Sequence, residues 1–162
     1  MSVTTPRERL IEWLKEAHAM ARHGETMLSA RADDLRSYPQ LAERLAAHAT
    51  QTQAQATRIA DCLDELGEDT SSVRDLASRL SAAGHSLGTR VAGEQAVQAH
   101  AASLAFEHYE IANYRALVAA AQAADAPAVK SLCEAILTEQ RTMADWLESH
   151  LDATTAAFLE HG

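Results

Sequence analysis

The 162 residues are 47% hydrophobic but only 4% aromatic, with six glycines and three prolines, a composition that favours long helices over a sheet. The formal net charge of −9 and the lack of a Lys/Arg-rich run argue against a nucleic-acid partner. The sequence has neither a basic leader followed by an apolar run nor a stretch of about 18 apolar residues, so we expect a cytoplasmic protein with no membrane partner. The length predicts one all-α domain over residues 1–162.

Start signals and apolar spacing predict the first two helices. The segment "TPRE" at 5–8 is a capping box, and the helix behind it should run to about Asp34. The segment "SYPQ" at 37–40, with Ser37 as N-cap, predicts a second helix that ends near Gly67. Since few residues separate them, the two helices should form an antiparallel hairpin.

A long connection and a second hairpin follow. Residues 68–93 hold three of the six glycines, and "SSVRDLASRL" within them predicts a short helix that begins at Ser71 or Ser72. Further helices are predicted over residues 94–124 and 126–158. Two hairpins joined by one long crossover between helices 2 and 3 are typical of a ferritin-like four-helix bundle.

The apolar faces of the last two helices follow spacings of three and four residues. The predicted seam of the third helix is Val97, His100, Leu104, Glu107, Ile111, Tyr114 and Val118. The predicted seam of the fourth is Val129, Leu132, Ile136, Glu139, Met143, Trp146 and His150. For Trp13, Trp146, Cys62 and Cys133, we expect packing in the core, with both thiols reduced.

Polar residues interrupt these seams near the middle of three helices. His48 lies on the second helix, Glu107 on the third and Glu139 on the fourth, while Glu110 is one turn beyond Glu107. Because buried carboxylates need a partner, their similar depth predicts a metal site with His48, Glu107, Glu110 and Glu139 as ligands. Taken alone, His48 is more commonly a hydrogen-bonded core histidine, and a single glutamate can reach solvent from a seam edge.

A dinuclear site would lack anionic ligands. Bundle di-iron and di-manganese sites combine two glutamates with two Glu-x-x-His pairs, and neither pair occurs here. The first helix has Ala21 where a carboxylate would be needed, and its neighbours Ala17 and Gly24 are small enough that we expect space beside it. His18 and Glu25, three residues before and four after Ala21, could act as substitutes.

Five segments carry a resemblance to a known family. They are "WLKEAHAM" at 13–20, "YPQLAERLAAH" at 38–48, "CLDELG" at 62–67, "FEHYEIANYRAL" at 106–117 and "EQRTMADWLESHL" at 139–151. Over nearly its whole length, the chain resembles the bacterial ferritin-like proteins of the YciE/YciF type, a domain of unknown function. The resemblance implies a homodimeric four-helix bundle associated with stress responses, with no established reaction.

The resemblance also implies which ligands are kept and which are lost. His48, Glu107, Glu110 and Glu139 match the histidine and carboxylates of the family. Such proteins typically have a Glu directly after "AHAM" and a His-x-x-Glu-Thr in the second helix, but here Ala21 and Gln51 occupy those positions.

Two main hypotheses of function follow. The first is a stress-associated, ferritin-like protein that is not an enzyme and whose degenerate site holds no metal or a single ion of iron, manganese or zinc. The second is a working di-iron or di-manganese oxidase or peroxide-reacting protein that uses His18 or Glu25 as substitute ligand. An enzyme that acts without metal is least favoured, because no Ser-His-Asp or Cys-His arrangement can be placed in space.

Overall fold

The computed structural model describes residues 3–69 and 95–161. These residues form four helices and no strand: α1 (Pro6–Asp34), α2 (Pro39–Glu65), α3 (Ala96–Ala123) and α4 (Pro127–His161). The all-α prediction is confirmed, with helix ends within three residues of the predicted ones. The short helix predicted to begin at Ser71 or Ser72 lies outside the described residues.

Of the two predicted N-terminal caps, the capping box at Thr5 is present. The N–H of Glu8 donates to the Thr5 hydroxyl at 3.2 Å, and the Glu8 carboxylate accepts from the Thr5 N–H at 2.7 Å. The prediction of Ser37 as cap of α2 is wrong, because Tyr38 is the N-cap and makes no side-chain cap bond. Pro39 takes the first helical position, where its missing N–H is not needed, so α2 begins there.

α2 and α3 each end at a residue with left-handed backbone. Gly67, with φ of +80°, follows α2, and the N–H of Glu68 donates to the Leu63 carbonyl at 3.0 Å. Asp125, with φ of +51°, follows α3, and the N–H of Ala126 donates to the Ala121 carbonyl at 2.9 Å. Both are Schellman-type ends, which satisfy the last carbonyls of a helix.

The hairpins pack with α1 against α3 and α2 against α4. Arg58 contacts Glu139 while Gln55, one turn earlier on α2, reaches on to Gln140, so α2 and α4 run antiparallel. Since α1 and α2 form one antiparallel hairpin and α3 and α4 the other, α2 and α3 run in the same direction. This is the direction that a ferritin-like bundle requires.

Two apolar clusters fill the core on either side of a polar layer. One contains Leu10, Leu14, Ala17, Ile59, Leu63, Tyr114, Leu117, Ala121, Val129, Cys133, Ile136 and Leu137. The other contains Leu28, Leu35, Leu41, Leu45, Ala49, Ala96, Ala99, Met143 and Leu147. In the described part of the chain, no helix is both long and apolar enough to cross a membrane.

The cysteines and tryptophans pack as predicted. Trp13 and Cys62 lie half-buried against the first cluster, to which Cys133 belongs, and Trp146 lies against the second. Neither cysteine forms a disulfide. Burial raises the pKa of the Cys133 thiol to about 12, so this thiol is protonated at neutral pH.

Candidate metal centre

On α3 and α4, alternate positions of the predicted seams are displaced by one residue, while the remaining predicted positions, apart from the half-buried His150, are buried. On α3, Ser103, Glu110 and Leu117 are buried, whereas Leu104, Ile111 and Val118 are only half-buried. On α4, Cys133, Gln140 and Leu147 take the inner positions, and Leu132, Glu139 and Trp146 lie half-buried beside them. Spacings of three and four fit both alternatives, and apolar residues occur in both sets, so the pattern could not decide between them.

The polar layer therefore contains three of the four predicted ligands in buried positions. Glu107, Glu110 and His48 are 0%, 2% and 3% exposed, respectively. The fourth, Glu139, has a side chain that is 25% exposed. Thr52 is also buried, and its hydroxyl donates to the His48 carbonyl at 2.8 Å within α2.

His48 on α2 faces Glu107 on α3. Nε2 of His48 lies 3.0 Å from Oε1 of Glu107. However, the contact lacks hydrogen-bond geometry, and within the described residues neither Nε2 nor either oxygen of Glu107 has a hydrogen-bond partner. A fully buried carboxylate without a donor is unusual, because it loses its hydration without compensation.

The other nitrogen of the His48 ring, Nδ1, contacts the side chain of Gln51. Its amide Oε1 lies 3.0 Å from Nδ1 of His48. In this orientation of the amide the oxygen accepts, so the ring hydrogen is assigned to Nδ1, and a neutral ring then presents the lone pair of Nε2 to Glu107. Two acceptors at this distance repel each other unless a cation, either a proton or a metal ion, lies between them.

Glu110 extends the layer towards α4. Its carboxyl accepts a hydrogen bond from the Gln140 side-chain amide. Burial, and then the charge of Glu107, raise the pKa of Glu110 well above its usual range. The neutral acid is therefore favoured in the metal-free protein.

The fourth predicted ligand, Glu139, is bound by Arg58 and Gln55 and not by the other predicted ligands. Nη2 of Arg58 donates to both of its carboxylate oxygens, at 2.8 and 2.7 Å, and Nε2 of Gln55 donates to Oε2 at 2.7 Å. The same Gln55 nitrogen donates to Oε1 of Gln140 at 3.0 Å. In the part of the chain that the structure describes, no three His, Cys, Asp or Glu side chains are grouped so as to hold a metal ion.

The first helix adds no ligand to this layer. Ala21 is buried, and the Phe106 ring packs over its neighbour Gly24, where a Cβ would lie 3.2 Å from the ring. The Glu25 carboxylate accepts from Arg22 at 2.9 Å. His18 is half-buried, its Nδ1 has no partner in the described ranges, and burial followed by the charge of Arg22 lowers its pKa.

Sequence reasoning missed several polar residues inside the bundle. Gln140 and Arg58 were overlooked, since Gln140 lies beside the predicted seam and Arg58 outside the face that was considered. His100 was placed on the seam only as a packing position, yet its Nδ1 contacts the Thr154 hydroxyl at 2.9 Å and its Nε2 the Leu147 carbonyl at 2.7 Å. On α4, positions 133, 140, 147 and 154 follow a heptad spacing, which could have predicted that Gln140 and Thr154 lie inside the bundle.

The residues of the polar layer suit a site for one metal ion but not a site for two. For a dinuclear centre the residues do not fit: Ala21 replaces one carboxylate, Arg58 already binds Glu139, and Gln140 donates an amide to Glu110. For a single ion the donor types fit, because ligands about 2.1 Å from an octahedral metal, at right angles to each other, lie about 3.0 Å apart. That is the separation between His48 and Glu107.

Fold and polar layer together define a helical bundle of the ferritin-like class. Within it, the chain belongs to the family described as Domain of unknown function (DUF892), which matches residues 5–160. The YciE/YciF-type resemblance is thereby confirmed.

Solved structures with the same fold exist in two bacteria. One is a protein from Xanthomonas campestris pv. campestris, with 36% identity and a TM-score of 0.79, covering 96% of this chain and 97% of that one. The other is the E. coli stress protein YciF, with 18% identity and a TM-score of 0.75, covering 95% of this chain and 99% of that one. At 18% identity, the similarity to YciF concerns the fold alone.

Proposed function

We propose that this protein is a ferritin-like, stress-associated binding protein whose degenerate site holds at most one metal ion. His48 and Glu107 would be the primary ligands, and Glu110 the third. One observation carries the proposal: Nε2 of His48 and Oε1 of Glu107 lie 3.0 Å apart in the core without a hydrogen bond. The stress association is supported by the family resemblance and by the shared fold with the E. coli stress protein YciF.

The surrounding residues support a metal ion over a shared proton. A proton between His48 and Glu107 would normally produce a short, well-aligned hydrogen bond, and the contact is not aligned as one. Gln51 holds the ring with its Nε2 lone pair towards the carboxylate, as an outer-shell residue does for a ligating histidine. An imidazole with one or two carboxylates suits iron, manganese or zinc.

The bound ion would supply Lewis-acid or, for iron and manganese, redox chemistry. The chain's own residues limit that chemistry. The two apolar clusters exclude water from both sides of the layer, and Arg58 and Gln55 keep the Glu139 carboxylate engaged elsewhere. We therefore favour binding or a structural role over turnover.

Metal titration of protein purified without chelators or nickel tests this proposal. We expect calorimetry with Mn²⁺ and Zn²⁺, and anaerobic work with Fe²⁺, to give no more than one equivalent per chain. Glu107→Gln keeps the shape but removes the charge and should weaken binding more than about tenfold, since even outer-shell changes cost 10- to 100-fold. Glu134→Gln, at an exposed position on α4, is the matched control and should bind as the parent does.

Other outcomes decide against this proposal. No binding, or binding that Glu107→Gln leaves intact, would mean that the layer is a metal-free polar network. Two tightly bound equivalents would instead favour the oxidase or peroxide-reacting alternative. That alternative is favoured by Nδ1 of His18, which is buried and has no hydrogen-bond partner among the described residues.

Assembly and location are part of the same proposal. We expect a homodimer of single-domain chains in the cytoplasm, on the strength of the family resemblance. Light scattering at micromolar concentration measures the assembly directly, and a monomer there would contradict it.

A further inference from the structure

Arg58 and Glu139 form an ion pair at the edge of the polar layer, between α2 and α4. One guanidinium nitrogen, Nη2, donates to both oxygens of the Glu139 carboxylate, at 2.8 and 2.7 Å. Nε2 of Gln55 adds a third bond at 2.7 Å. The side chains of Arg58 and Glu139 are only 37% and 25% exposed. A carboxylate otherwise suited to bind metal is thus already bound by a cation that belongs to the chain.

Side-chain amides connect this pair with the buried carboxyl groups. Gln55 donates to Oε1 of Gln140 at 3.0 Å, and Gln140 in turn donates to Glu110. Oε1 of Gln55 is itself buried and has no hydrogen-bond partner in residues 3–69 and 95–161. The amides of Gln55 and Gln140 therefore link the carboxyl oxygens of Glu139 and Glu110, and among the described residues Oε1 of Gln55 takes no part in this chain. Such oxygens are the ligands that a hard divalent cation such as Mn²⁺ prefers.

We propose that the Arg58 guanidinium takes the place of a second metal ion and thereby limits the layer to one. It neutralises the charge of Glu139, occupies the oxygens that would bind metal, and repels any further cation from them. This inference rests on the proposed single-ion site at His48 and Glu107. Arg58 is a residue that determines how many ions the site takes, and it would touch none of them.

Manganese stoichiometry in Arg58 variants tests the proposal. Arg58→Met removes the charge and keeps a side chain of similar length, whereas Arg58→Lys keeps the charge and serves as the matched control. We expect one equivalent of Mn²⁺ per chain in the parent and in Arg58→Lys. Arg58→Met should bind a second equivalent more weakly than the first, because Ala21 still supplies no carboxylate and Gln140 still binds Glu110. The double variant Arg58→Met with Glu139→Gln should return to one. Circular dichroism checks the fold of each variant, and Arg58→Gln replaces Arg58→Met if the latter loses helix.

The outcomes separate this inference from the proposed function. One equivalent in both the parent and folded Arg58→Met or Arg58→Gln overturns the role of Arg58 and leaves the single-ion site standing. A parent that binds no Mn²⁺, Zn²⁺ or Fe²⁺ overturns the proposed function itself. A second ion that persists in the double variant lies away from Glu139 and also overturns the inference.

Discussion

Glu110 lies between the charge of Glu107 on its own helix and the Gln140 amide on α4, with almost no access to water. Its raised pKa has a direct consequence for stability. The folded chain keeps the Glu110 proton at pH values where the unfolded chain, with an ordinary pKa, has lost it. Because the folded state binds more protons, stability falls as the pH rises from the unfolded pKa towards the folded one.

Glu110→Gln should remove this dependence in metal-free protein. The amide has nearly the same shape and carries no charge, so the variant should gain stability over the parent as the pH rises above about 4.5. The difference should grow by at most about 1.4 kcal/mol per pH unit, the limit for one proton. Urea unfolding of both proteins with chelator at several pH values between 5 and 8 measures it. A constant difference across that range would contradict the raised pKa.

The turn between α3 and α4 carries backbone strain, whereas the turn after α2 does not. Asp125 and Gly67 occupy equivalent positions in the two Schellman-type ends, both with positive φ. Glycine adopts this conformation without cost, while a residue with a Cβ loses up to about 1–2 kcal/mol, and somewhat less for Asp. The second hairpin is therefore held at a small but measurable cost.

Asp125→Gly should stabilise the protein by about 0.5 kcal/mol. The relief of the left-handed strain exceeds the loss of a negative charge near the start of α4, which contributes about 0.3 kcal/mol. Gly67→Ala is the matched opposite change and should destabilise by about 1 kcal/mol, since its Cβ would meet no atom within 4 Å and only backbone strain remains. Chemical denaturation measures both, and a loss of stability in Asp125→Gly would be inconsistent with this account.

Across the bundle, the polar layer divides the core into two clusters, but most of the buried residues are apolar. Leu14, Ile59 and Ile136 are fully buried on one side of the layer, and Leu45 and Leu147 on the other. Since a domain of this length can form a sufficient core without metal, the fold should not depend on an ion.

Chelator should therefore leave the helix content unchanged and shift the melting temperature by less than about 4 °C, which corresponds to roughly 1 kcal/mol. Far-UV circular dichroism of the parent with and without EDTA measures this. Glu107→Gln, which loses the primary carboxylate, should show no EDTA dependence. A large loss of helix on chelation would contradict the degenerate-site proposal and indicate a metal-dependent fold.

The all-α class, the four long helices and the family could be predicted from the amino-acid sequence. Capping at Thr5, the helix-stopping Gly67 and spacings of three and four residues are local signals, so they predict helix ends within a few residues. His48 and Glu107 were also predicted correctly on the buried seams, because a polar group on an apolar seam stands out without knowledge of its partner. Glu110 was predicted only as a ligand one turn beyond Glu107, and it is buried as well.

The hydrogen-bond partners of these buried polar side chains are known only from the packing of the helices. A shift of one residue turns a helix face by about 100°, and the 3–4 pattern on α4 did not distinguish Glu139 from Gln140. That shift places Gln140 inside the layer and Glu139 at its edge, within reach of Arg58, which is 81 residues away in sequence. Such contacts depend on how α2 packs against α4, and no local pattern of charge or hydrophobicity records that packing.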